Sequence, residues 1–158
     1  MWHALHQGLA NVTRLVSKRD QASSSPLVTL ICFLPEDQDR SLMIDLCQRN
    51  HWEVFFAASR EQAEWALQEL KPQIMLFDRD VAGPGWREFV AAFAARSGGA
   101  CIMLVSKLID DNLWNDLVSS GGYEVLRKPL RDDEVSRAVR MAWSYWSSAV
   151  KRAASVKR

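Results

Sequence analysis

Five short apolar runs, at residues 27–34, 52–58, 74–77, 100–105 and 123–126, alternate with stretches in which apolar residues return every third or fourth position. Continuous runs of this length suit strands covered on both faces, whereas the wider spacing marks helices that bury one stripe. The helical stretches fall near 36–50, 60–70, 84–96, 109–119 and 131–154. Ser59 and Gln62 form a capping box at the start of the second, and Lys71-Pro72 stops it, since proline cannot extend a helix. Strict alternation of strand and helix predicts a parallel sheet with right-handed crossovers and helices on both faces.

Ahead of this pattern, Trp2, Leu5, Leu9, Val12 and Val16 recur at helical spacing and predict an amphipathic helix that packs on its own domain or on a second copy. Lys18 to Pro26, ending in Ser23-Ser24-Ser25-Pro26, reads as a linker. In the last helix, Val135, Val139, Ala142, Trp143, Trp146 and Val150 make one long apolar stripe that continues to Ala153. Trp65, Trp114 and Trp143 lie on helical stretches among apolar neighbours and are expected to pack.

Composition narrows the class. A chain of 158 residues, 48% hydrophobic and 25% charged, supports one core and one domain. A formal charge of +1 creates no field that would gather nucleic acid, and Lys151, Arg152, Lys157 and Arg158 read as a solvated helix end. Cys32, Cys47 and Cys101 are odd in number and set among apolar neighbours, which fits reduced core thiols and a cytoplasmic location. No run reaches the length of a membrane span, and polar residues interrupt the first sixteen positions, so neither a membrane anchor nor a signal peptide is expected. His3 and His6 stand one turn apart without an acid or cysteine cluster, and read as surface residues. Gly-rich phosphate loops, nucleophile elbows and zinc spacings are missing from the sequence.

The chemistry gathers where strands end. Asp78 closes the run 73–78, Ser106 follows 100–105, and Lys128-Pro129 follows 123–126. Parallel sheets of this type collect ligands beyond the carboxyl ends of their strands, so a carboxylate, a hydroxyl and an ammonium would meet at one edge. An aspartate and a lysine at strand ends can also be no more than a surface ion pair.

These three residues, each after an apolar strand in this order, resemble the receiver domain of bacterial response regulators over about residues 27–146. The resemblance implies a flavodoxin-like (βα)5 fold, a doubly wound parallel sheet of order 2-1-3-4-5. It divides the chain into a helix and linker over 1–26, a receiver-like domain over 27–146 and an extension with a basic tail over 147–158. It also implies roles: Asp78 as phosphoryl acceptor, Lys128 as the cation that holds a phosphoryl oxygen, and Ser106 as the hydroxyl that bonds the phosphorylated form. The donor would be a histidine kinase or a phosphotransfer protein, and a homodimer or a protein partner would use the last helix.

Receivers also hold magnesium through an acidic pair after the first strand, and those positions are Leu34 and Pro35 in this sequence. Glu36 and Asp37 follow directly, so the candidate metal ligands are Glu36, Asp78 and Asp80, although acids at a helix start are common for electrostatic reasons alone. Where receivers often carry an aromatic switch residue this chain has Val125, with Tyr123 on the same face by strand alternation. Arg79, next to the acceptor, is placed to compete for its charge. Two functions follow. One is a stand-alone receiver that accepts phosphate on Asp78 and signals by contact; the other is a degenerate pseudo-receiver that binds or dimerises without phosphorylation. Neither is an enzyme beyond phosphorylating itself from a donor.

Overall fold

The computed structural model describes residues 28–157, so the helix expected over 2–16, the linker, His3 and His6 lie outside the described residues. Five strands, β1 (Thr29–Phe33), β2 (Glu53–Phe56), β3 (Ile74–Asp78), β4 (Cys101–Ser106) and β5 (Glu124–Arg127), form one all-parallel sheet of order β2-β1-β3-β4-β5. Helices α1 (Asp37–Asn50), α2 (Arg60–Leu70), α3 (Trp86–Arg96), α4 (Asp111–Ser119) and α5 (Asp132–Val156) connect and follow them. The parallel sheet is what strand–helix alternation predicts, and its order is the flavodoxin-like one that the receiver resemblance implies.

Side-chain alternation along the central strands builds two cores. Leu30, Cys32, Leu76, Met103 and Val105 face α1 and α5, where Met43, Leu46, Val135 and Val139 cover them. Ile31, Phe33, Met75, Phe77 and Leu104 face the other way, against Trp86, Phe89 and Phe93 of α3 and Leu113 and Leu117 of α4. Every residue of β3 and β4 is buried, as a parallel sheet sandwiched by helices requires. Cys32, Cys47 and Cys101 are free and buried, and burial pushes the Cys47 thiol up to about 12 and Cys101 to about 11.

Local chemistry sets the element ends. The Ser59 hydroxyl accepts from Gln62 N at 3.1 Å, and Gln62 Oε1 reaches back to Ala58 N at 2.7 Å, so the capping residues act as expected with the return bond one residue earlier. Asp110 caps α4 through Asn112 N and Leu113 N. The third helix starts at Trp86 rather than 84, because a helical turn (Arg79–Ala82) and a 3-10 turn (Gly83–Gly85) precede it, with Gly83 at φ 59°. Among described residues no helix is long and apolar enough to cross a membrane.

Two packing expectations are corrected. Trp114 stands on the open side of α4 and is 48% exposed, because Leu113 and Leu117 already fill that helix's contact with the sheet. Tyr123 precedes β5 and packs toward α5, with its ring 5.6 Å from that of Tyr145, whereas Val125 belongs to the opposite core. Strand alternation does not relate two residues when one of them lies before the strand.

Candidate functional site

The expected strand ends do converge. Asp78 is the last residue of β3, Ser106 is the last of β4, and Lys128 stands one position beyond β5. Sheet register aligns Asp78 with Val105 and Ser106 with Arg127, and Lys128 N donates to Ser106 O at 3.0 Å, which ties the three segments at one level. The Lys128-Pro129 peptide bond is cis.

Asp78 is 1% exposed and Lys128 is 8% exposed, so their charges meet out of water. The Lys128 ammonium contacts Asp78 Oδ2, donates to Glu36 Oε1 at 2.9 Å and lies 3.3 Å from Asp39 Oδ2. Glu36 is the N-cap residue of α1 and Asp39 belongs to its first turn, so the loop Leu34-Pro35 and the helix start carry both acids to the strand ends. Leu34 itself is buried in the core and supplies only its carbonyl, to Arg40 Nη1.

Electrostatics within the cluster have clear signs. Burial alone would lower the Lys128 pKa, but its bonds to Asp78 and Glu36 and the charges of Asp78 and Asp39 outweigh burial and hold it above the ordinary lysine value. The hydrogen bond from Lys128, followed by its charge, lowers the Glu36 pKa, and Lys107 at 3.5 Å adds to this.

One oxygen of each buried acid has the Lys128 ammonium as its partner. Asp78 Oδ1 accepts from Asp80 N at 2.9 Å, whereas neither Asp78 Oδ2 nor Asp39 Oδ2 receives a hydrogen bond of proper geometry, although both face the ammonium as ion-pair partners. Glu36, Asp39 and Asp78 each present an oxygen within 4.8 Å of the others. Convergent carboxylate oxygens are the hard donors that a small divalent cation takes, and the Lys128 ammonium contacts all three of these acids.

The remaining sequence candidates fall around this cluster. Asp80 contributes its backbone N–H, and its exposed carboxylate lies outside the convergent group. The Asp37 carboxylate is turned away to Arg40. The Ser106 hydroxyl donates to Leu108 O at 2.8 Å rather than to Asp78. Arg79 does not compete for the acceptor: its guanidinium lies over the Trp86 ring, 5.8 Å from the centroid. Asp39 is the functional candidate that sequence reasoning missed. Its signal was the three-residue step from Glu36, which places both acids on one side of a helical turn.

Among the described residues, clefts flank the cluster on two sides. One, of about 280 Å³, is lined by Glu36, Gln38, Asp39, Lys107 and Lys128; the other, of about 610 Å³, lies between Arg79, Arg87, Ser106 and Lys107. Asp78 lines neither, so its carboxylate sits beneath the rim that Lys107 shares between them.

No protein-family model and no curated protein matches this sequence. Solved structures do share the fold. A response regulator from Thermotoga maritima is 16% identical with a TM-score of 0.70, over 75% of this chain and 99% of that one. The signal receiver domain of an HD domain-containing protein from Pseudomonas fluorescens Pf-5 is 17% identical at 0.69, over 78% and 99%. A response regulator receiver protein from Pseudomonas putida is 18% identical at 0.63, over 74% and 98%. The chain therefore has the receiver fold. Identities this low carry the architecture alone.

Proposed function

We propose that this chain is a receiver-like signalling module in which Asp78 accepts a phosphoryl group from a phosphohistidine or a small phosphodonor. The observation that carries this reading is the Lys128 ammonium seated against a buried Asp78 carboxylate at the carboxyl edge of the sheet. A carboxylate oxygen of Asp78 would form a new bond to phosphorus as the bond from phosphorus to the donor breaks. The leaving group would depart with that electron pair and take up a proton from solvent. Lys128 would follow the charge from the carboxylate onto a phosphoryl oxygen, a motion that a flexible ammonium stem permits. Ser106 would exchange its bond to Leu108 O for one to the acyl phosphate. Glu36, Asp39 and Asp78 would hold magnesium, which supplies charge neutralisation for the phosphoryl oxygens.

A second reading is favoured by one observation. Lys128 already pairs with the Asp78 carboxylate, and Asp78 lines neither cleft, so the acceptor is charge-paired and closed off. In that reading the chain is a pseudo-receiver whose contacts operate without phosphate. Intact mass after incubation with acetyl phosphate and magnesium separates the two. The gain of one phosphoryl group, lost in Asp78→Asn, supports the acceptor reading; an unchanged mass supports the pseudo-receiver.

A further inference from the structure

The last helix carries more apolar surface than the domain covers. Val135, Ala138, Val139 and Ala142 of α5 are buried against the sheet. The same side continues through Trp146 and Ala149 to Val156, and Val150 remains 45% exposed. Trp143 and Trp146 stack with ring centroids 5.4 Å apart, and with Val150 they line a cleft of about 470 Å³ along this part of the helix. An apolar stripe that outruns its own core loses free energy to hydration until something covers it.

Position, length and charge bear on what covers it. Val28, the first described residue, stands at the amino end of β1, the sheet edge toward which α5 runs as it returns from the end of β5, and both Val28 and Trp146 pack on the core of that face. The 27 residues ahead of Val28 contain the stripe Trp2, Leu5, Leu9, Val12 and Val16. The eleven residues between that stripe and Val28 reach about 35 Å when extended, which is ample for a return onto α5. As a helix, residues 2 to 16 would run about 21 Å, against about 20 Å from Trp143 to Val156. A second copy of α5 is the poorer cover, because residues 144–157 carry Lys151, Arg152 and Lys157 without a single acid, and two such faces repel. Residues 2–16 carry only Arg14.

We propose that residues 2–16 fold back as a helix onto the Trp143–Val156 face of their own chain. Leu9 is the midpoint of one stripe and Val150 is close to the midpoint of the other, so the two meet whichever way the segment runs. The test uses the full chain carrying Leu9→Cys together with Val150→Cys or, separately, with Ala153→Cys; the three native thiols are buried. After mild oxidation the expected product is a disulfide within one chain, at monomer mass, for at least one pairing. A disulfide between two chains would show that a second copy provides the cover, and the lack of any cross-link in both variants would remove the contact altogether. A second measurement needs no cysteine. In Leu5→Glu combined with Leu9→Glu, amide exchange over 143–156 should accelerate about tenfold or more while β3 and β4 stay protected. Unchanged exchange would overturn the proposal.

Discussion

At Lys128 a single ammonium faces Glu36, Asp39 and Asp78, and its side chain is only 4% exposed. Lys128→Met keeps the length of the stem and leaves three carboxylates facing one another. Loss of one partner from a buried ion pair should cost about 3 kcal/mol at neutral pH, read from urea midpoints. The pH dependence has a definite sign. Because the folded Lys128 pKa is raised, its stabilisation is complete below the ordinary lysine value of about 10.4 and is lost as pH rises through the higher folded value. Because the Glu36 pKa is lowered, its share is present above about pH 4.3 and is lost as pH falls through the folded value. The gap between wild type and variant should therefore be widest from about pH 5 to 10 and should narrow on both sides. A gap that stays level from pH 3 to 11 would contradict the ion-pair account. At this scale the convergence of Asp78 and Lys128 was legible because each stands at the carboxyl end of an apolar strand. Asp39 was not, since an acid in the first turn of a helix is equally expected from the helix dipole, and only its burial beside Asp78 separates the two explanations.

Elements were legible where local chemistry decides them. The Ser59–Gln62 cap and the Lys71-Pro72 stop lie where they were expected, with Lys71 in the left-handed region at φ 46°. Positions set by tertiary contacts were less legible. Trp114 follows the helical period of α4, but the packing of its neighbours turns it outward, and Tyr123 escapes strand alternation because β5 begins one residue later. The end of α4 supplies a test at this scale. Gly122 N bonds Leu117 O at 2.8 Å, and a Cβ at Gly122 would overlap the fully buried Leu117 side chain. Gly122→Ala should therefore destabilise the chain by about 1–3 kcal/mol in urea unfolding, through displacement of Leu117 from the α3–α4 core. A change below about 0.5 kcal/mol would mean that the turn yields without cost.

For the whole molecule, a parallel sheet covered by helices was legible from five buried strands alternating with helical stretches, whereas the strand order came from the receiver resemblance, because alternation alone admits more than one order. That topology assembles the site: it brings β3, β4, the end of β5 and the start of α1 to one edge, although their residues span positions 36 to 128. The role proposed for Asp78 requires the Lys128 cluster to open to a phosphodonor. Reductive trapping addresses this most directly. The full chain is incubated with acetyl phosphate and magnesium, treated with borohydride to convert an acyl phosphate into an alcohol, and digested for peptide mass mapping. The expected result is homoserine at position 78 and at no other acid. An unmodified Asp78, or modification at Glu36 or Asp39 instead, would contradict the assignment of Asp78 as phosphoryl acceptor.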